Sequence, residues 1–173
     1  REDRGVAEAV GREREAVARA VELAEETFRR GGRLIYVGAG TSGRLGVLDA
    51  AEMPPTFGTD PSMVQGVIAG GYGALVRARE GAEDRPEDGA AAMDEREVAE
   101  ADFVLGIATS GTTPYVHGAL ARARELSKRT VSASPLAMMT KRSSTAVTSG
   151  RPARAVDGPS GPTRQGRGCA TVR

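Results

Sequence analysis

Residues 33–46 read RLIYVGAGTSGRLG. Leu34-Ile35-Tyr36-Val37 is a short apolar run rich in strand formers, and it passes at once into glycines and hydroxyls. The pattern predicts a strand, a tight turn and the start of a helix. Gly38, Gly40 and Gly43 carry the G-x-G-x-x-G spacing of a dinucleotide site. Such a site also needs an acidic residue at the end of the second strand, to hold the ribose hydroxyls. Here the second apolar run, Met63 to Ala69, closes on Gly70-Gly71, and the nearest acid, Asp60, precedes it. The dinucleotide reading therefore fails its own requirement. What remains is Thr41 and Ser42 at a helix N-terminus, where free N–H groups and the positive end of the helix dipole attract an anion. A capped turn without a ligand has the same appearance.

Outward from this unit, strands and helices alternate. Val6, Val10, Ala16, Val17, Ala20, Val21, Ala24 and Phe28 recur at helical spacing, so residues 6–30 are expected to form one helix, stopped by Gly31-Gly32. Residues 44–52 are expected to form a helix stopped by Pro54-Pro55. Helices are further expected over 73–82, in part of the charged stretch 83–100, and over 115–126. Phe103 to Ala108 reads as a third strand and Thr130 to Ser132 as the start of a fourth. This alternation predicts an α/β fold with a doubly wound parallel sheet covered on both faces, ligands gathering at the carboxyl ends of the strands. Three segments follow: an N-terminal helix over 1–30, the sheet domain over 31–139 and a tail over 140–173. The tail holds Arg, Ser, Thr, Gly and Pro with almost no large apolar residue, apart from a weak strand candidate at 146–148, and is expected to be poorly ordered.

Composition narrows the function. With 173 residues the chain has room for one domain with a real core, and 24 Lys+Arg against 23 Asp+Glu leave it close to neutral. That balance gives no reason to expect nucleic acid or a membrane surface as partner. Aromatic content of 3% and the absence of Trp argue against base stacking. Cys169 is the single cysteine and His117 the single histidine, which excludes an intrachain disulfide and argues against a metal centre built from those ligands. No apolar run approaches the roughly 18 residues of a spanning helix, and no secretory leader is visible, so a soluble cytoplasmic protein is expected. The chain opens on Arg1 rather than Met, as expected if its true start lies upstream.

A second loop repeats the chemistry of the first. GIATSGTTPY at 106–115 sets Thr109, Ser110, Thr112 and Thr113 after a strand. Two such loops at the carboxyl ends of parallel strands can converge on one ligand. Hydroxyls and N–H groups, rather than a cluster of cations, suit the phosphate monoester of a polyol; two independent helix caps are the bland alternative. Carboxylates supply candidates for general acid and base, provided their environments separate the two pKa values. Glu52 lies in DAAEMPPTFG at 49–58, and Glu83 in EGAED at 80–84. Position alone does not choose Glu83 over Glu80, Asp84, Glu87 or Asp88. Arg44 is a candidate either for phosphate or for an outward salt bridge. His117 reads as a surface or core residue rather than a catalyst, and Cys169 as an incidental thiol.

GGRLIYVGAGTSGRLGVLDAAEMPPTFG at 31–58, VIAGG at 67–71, EGAED at 80–84 and SGTTPY at 110–115 together resemble N-acetylmuramic acid 6-phosphate etherase, a family with a sugar isomerase (SIS) domain related to the glucokinase regulatory protein. The resemblance spans roughly residues 31–133. It implies cleavage of the lactyl ether at C3 of N-acetylmuramic acid 6-phosphate by elimination and then hydration, giving N-acetylglucosamine 6-phosphate and D-lactate, with no metal or redox cofactor. It also implies that Glu52 is the proton donor and Glu83 the base, and that Gly40, Thr41, Ser42, Gly43, Ser110, Gly111, Thr112 and Thr113 hold the sugar phosphate. A homodimer with sites near the interface is implied as well.

The chain departs from the family in places. The family often has Arg where Thr112 stands. Ala133-Ser134-Pro135-Leu136 replaces a usual Cys-Asn-Pro-Gly stretch. SGPTRQGRGCAT at 160–171 looks like a worn copy of the family's TGSTRMKAGTA segment, keeping Gly161, Thr163, Arg164, Gly168 and Ala170 but with Gly166 at the lysine position. The C-terminal helical part of the family is expected to be missing. Two further readings follow: a sugar-phosphate-binding module without catalysis, and a decayed copy without function.

Overall fold

The computed structural model describes residues 3–127 and 130–133. The tail expected over 140–173, the candidate strand at 146–148, the segment 160–171 and Cys169 lie outside these residues. In chain order the elements are α1 (Asp3–Arg12), α2 (Arg14–Arg29), β1 (Leu34–Gly38), α3 (Gly40–Phe57), β2 (Val64–Ile68), α4 (Gly73–Val76), α5 (Pro86–Glu95), β3 (Phe103–Ile107), α6 (Pro114–Leu126) and β4 (Thr130–Ala133). A single turn of 3-10 helix, Ala82–Asp84, stands between α4 and α5.

All strand pairs are parallel, in the order β2-β1-β3-β4. Alternate residues of β1, β2 and β3 point to opposite faces, and both faces are covered. Ile35, Val37 and Val104 pack with Met93 of α5 and Val116, Ala119 and Leu120 of α6. Leu34, Val64 and Phe103 pack on the other side with Leu23 and Phe28 of α2 and with Ala50 and Met53 of α3. The sheet is therefore doubly wound, as its apolar runs imply. The chain leaves β1 toward β2 on one side and returns to β3 on the other. This reversal leaves a crevice above the carboxyl ends of β1 and β3.

Three expected helices differ in extent. The helix expected over 6–30 is two, α1 and α2, parted at Glu13, whose φ of −93° and ψ of 11° leave the helical region. Gly11, a weak helix former, lies just before the break. The helix expected to stop before Pro54 instead runs from Gly40 to Phe57 through both prolines. They fall in its last turns, where they withhold only the N–H groups that would reach the carbonyls of Ala50 and Ala51. The actual stop is Gly58, whose left-handed φ of 66° lets its N–H reach the Pro54 carbonyl at 2.8 Å. The helix expected over 73–82 shrinks to the single turn of α4, because Arg77 is extended and Gly81 has a positive φ of 73°. No helix among the described residues is long and apolar enough to cross a membrane.

At the amino ends of the strands, Asp102 ties β1 to β3. Its buried carboxylate accepts hydrogen bonds from the Arg33 backbone N–H (2.8 Å), from Arg33 Nε (3.2 Å) and Nη2 (2.7 Å), and from the Ala99 N–H (2.9 Å). Burial pushes the carboxyl pKa up, but the Arg33 guanidinium and the backbone donors outweigh it and hold the pKa below the usual Asp value. The stabilisation is thus fully present above the ordinary Asp range and is lost as pH falls through the lowered value. Asp102→Ala, which strands a half-buried guanidinium, should cost about 3 kcal/mol in urea melts at neutral pH. The cost should shrink below pH 4, where wild type loses the same interaction.

Candidate functional site

The first loop is shorter than its sequence implies. β1 ends at Gly38, and α3 begins at Gly40, so Ala39 alone forms the turn and Thr41 and Ser42 belong to the helix's first turn. Gly43 makes this possible. A Cβ on Gly43 would stand 2.7 Å from the Gly38 carbonyl oxygen and 2.6 Å from Ile68 Cγ1. Gly43 is buried between α3 and the sheet, where the absence of a side chain permits the close packing. Ala39 makes no side-chain cap. The N–H groups of Gly40, Thr41 and Ser42 belong to the first turn, which has no intrahelical acceptor for them.

The second loop follows β3 and ends at Thr113, the N-cap of α6, with Pro114 at the first helical position. Ser110 Oγ and Thr112 Oγ1 lie 2.9 Å apart, and the Thr112 N–H donates to Ser110 Oγ at 3.2 Å. Gly111 takes a positive φ of 72°, which few other residues would tolerate. His117 Nε2 lies 2.8 Å from the Gly111 carbonyl oxygen. His117 has no catalytic role in the sequence pattern; here one turn of α6 braces the loop through it. The i+6 separation of a histidine from a glycine turn is too generic a pattern to have announced this contact.

Between the loops lies a cleft of about 580 Å³, lined by Ser42, Glu83, Asp84, Thr109, Ser110, Thr112 and Thr113 over a floor of Ala39, Ile107 and Ala108. An adjoining recess of about 150 Å³ shares Ala39 and Glu83 with it and includes Gly40, Arg44, Arg79 and Glu80. The N-termini of α3 and α6 open at this edge, each worth about half a positive charge. The described lining of the cleft contains no Lys or Arg. An anion here would meet hydroxyls and helix ends. Arg44 does not take part: its Nε and Nη2 donate to the carbonyls of Leu75 (3.0 Å) and Ala74 (2.7 Å) at the end of α4. It is neither the phosphate ligand nor the outward salt bridge expected.

The acidic candidates separate by position. Glu87 and Asp88 face Arg85, each at 3.3 Å, and line neither space. Glu80 lines the recess alone, Asp84 the cleft alone, and Glu83 both. Glu83 projects from the 3-10 turn set by Gly81. Glu52 is elsewhere. It lies twelve residues beyond Gly40, about 18 Å along α3. Its neighbours Ala50 and Met53 pack with Leu34, Val64 and Phe103, the first residues of β1, β2 and β3. Within one chain, Glu52 and the cleft occupy opposite edges of the sheet. Thr41 is exposed and, like Gly43 and Gly111, does not line the cleft.

A family model described as the glucokinase regulatory protein N-terminal SIS domain matches residues 16–124. N-acetylmuramic acid 6-phosphate etherase of Picosynechococcus sp. is 58% identical over 130 residues, 75% of this chain and 43% of the relative. Proteins of the same name from Gloeobacter violaceus and Rippkaea orientalis are 60% and 54% identical, over 76% and 77% of this chain and 43% and 44% of their own length. The chain belongs to the SIS family of these etherases. It spans less than half the length of the relatives it matches. Within this SIS domain, the sheet reversal and the two hydroxyl loops define the site. Ser110→Ala removes one hydroxyl from the cleft and the acceptor of the Thr112 N–H. It should weaken binding of inorganic phosphate, used as a probe of the cleft, about tenfold by calorimetry, with little change in melting temperature because Ser110 is exposed.

Proposed function

We propose that this chain takes part in cleaving the D-lactyl ether of N-acetylmuramic acid 6-phosphate, acting in the cytoplasm as a homodimer. The observation that carries the reading is the position of Glu83, which shares one cleft with Ser42, Ser110, Thr112 and Thr113. A phosphate held by the hydroxyls and helix N-termini would leave the sugar extending toward that carboxylate. Glu83 takes the C2 proton, made acidic by the C1 aldehyde of the open-chain sugar. The C3–O bond breaks and the departing lactate oxygen receives a proton from Glu52. Water then adds across the C2–C3 double bond, with hydroxide at C3 and a proton at C2, giving N-acetylglucosamine 6-phosphate and D-lactate.

Glu52 enters this scheme from a second copy of the chain. It shares a stripe of α3 with Leu45 and Leu48, at i, i+3 and i+7, and both leucines are more than half exposed. An apolar stripe carrying an unpartnered carboxylate is the surface a two-fold interface would bury. One observation favours a second reading, binding of the sugar phosphate without turnover: no single chain brings Glu52 near Glu83.

The readings separate in solution. Release of D-lactate from N-acetylmuramic acid 6-phosphate supports catalysis, whereas thermal stabilisation by the sugar phosphate without lactate supports the binding module. In the active protein, Glu83→Gln should slow exchange of the C2 proton with deuterated water about 100-fold or more, the usual worth of a general base. Glu52→Gln and Glu83→Gln chains, each inactive, should recover about a quarter of wild-type activity when refolded together in equal amounts, because half of the dimers carry one intact composite site. Absence of recovery would mean that both carboxylates act from one chain, and a Glu52→Gln chain that stays active by itself would mean that Glu52 has no part.

A further inference from the structure

The recess beside Glu83 has chemistry that the phosphate cleft lacks. Two cations line it, Arg44 and Arg79. The Arg44 guanidinium is engaged by the carbonyls at the end of α4. The Arg79 guanidinium has no hydrogen bond or ion pair among the described residues, although Glu80 and Glu83 line the same recess. Its path is nevertheless defined. The side chain lies across two glycines: a Cβ on Gly70 would stand 2.9 Å from Arg79 Cδ, and one on Gly73 3.0 Å from Nη2. Side chains at either position would displace it. Gly70 also has a left-handed φ of 82°, so the bend that clears this channel depends on glycine twice over.

We propose that Arg79 binds the carboxylate of the substrate's lactyl arm, making the recess the leaving-group subsite of the reaction proposed above, on which this inference rests. The layout follows from connectivity. Glu83 lines both spaces. The carbon whose proton it removes is bonded to the carbon that bears the ether. With the phosphate among the hydroxyls of the cleft, the ether substituent extends to the far side of Glu83, into the recess. The lactyl carboxylate is the second anionic group of this substrate, and a guanidinium matches it with two parallel N–H donors. Without Arg79 a carboxylate in the recess would meet two glutamates and only the Arg44 guanidinium, whose Nε and Nη2 already donate to the carbonyls of α4. Arg79 also bears on the direction of the bond cleavage, because the leaving lactate is a dianion until its oxygen is protonated, and a fixed cation nearby favours its departure.

The test compares two ligands that differ only by the lactyl group. Calorimetry on the full chain should give Arg79→Ala about tenfold weaker binding of N-acetylmuramic acid 6-phosphate, the usual loss for one charge-assisted contact, with binding of N-acetylglucosamine 6-phosphate unchanged. Equal weakening for both ligands would assign Arg79 to the shared phosphate or sugar and overturn the proposal. So would unchanged affinity for both. If wild type binds neither ligand, the sugar-phosphate reading of the whole cleft fails, and the subsite fails with it. Arg79 is exposed on a loop, so the variant is expected to fold, and an unchanged melting temperature checks this.

Discussion

The site depends on how closely α3 can approach β1. Gly38 and Gly43 meet backbone to backbone, so one residue, Ala39, suffices to turn the strand into the helix. A longer turn would carry the helix N-terminus away from the sheet edge. A side chain at 43 would meet the Gly38 carbonyl and Ile68 and push α3 outward. The same economy holds the opposite face. Gly89 of α5 and Gly118 of α6 let the two helices touch through backbone at Tyr115 and Pro86. α6 therefore starts where its N-terminus faces that of α3 across the β1/β3 crevice. Two helix ends and two hydroxyl loops then point at one volume, and the N–H groups of the helices' first turns, which have no intrahelical acceptor, lie at the solvent edge, where water satisfies them.

The two edges of the sheet do different work. The amino edge is locked by the Arg33–Asp102 pair and by Leu34, Val64 and Phe103 under α2 and α3. The carboxyl edge carries Glu83, the hydroxyls and the recess with Arg79. A rigid lower edge fixes the strands in register, and only the loops above them need adjust to a ligand. Arg44, by capping α4, joins the first loop's helix to the wall of the recess. His117 does the same for the second loop, through Gly111. Both side chains act on the site by holding backbone rather than by touching a ligand.

Much of this was legible in the sequence because it rests on local rules. The apolar runs at 34–37, 63–69 and 103–108 became strands, the alternation of strands and helices became a doubly wound sheet, and the two hydroxyl loops meet at one edge. The failures share a cause. Pro54 and Pro55 read as stops under a rule that holds for helix interiors, whereas they sit in final turns already closed by Gly58. Gly43 had the spacing of a ligand-binding glycine, but its demand comes from Ile68 and Gly38, tertiary neighbours that spacing does not reveal. Glu52 reads along the chain as the carboxylate close to the first loop, and only the sheet shows that it occupies the edge opposite to Glu83. Arg79 gave no signal at all. Its significance depends on two glycines that clear its path and on the partners that Arg44 already has.

The proposed function places a sugar phosphate between the two loops at the carboxyl ends of β1 and β3. Amide chemical shifts of the labelled chain, followed during titration with N-acetylglucosamine 6-phosphate, test it most directly. Saturable shifts are expected at Gly40, Thr41 and Ser42 and at residues 109–113, with Arg33, Ala99 and Asp102 at the opposite edge unmoved. Shifts confined to that opposite edge, or none in either loop at saturation, would contradict it.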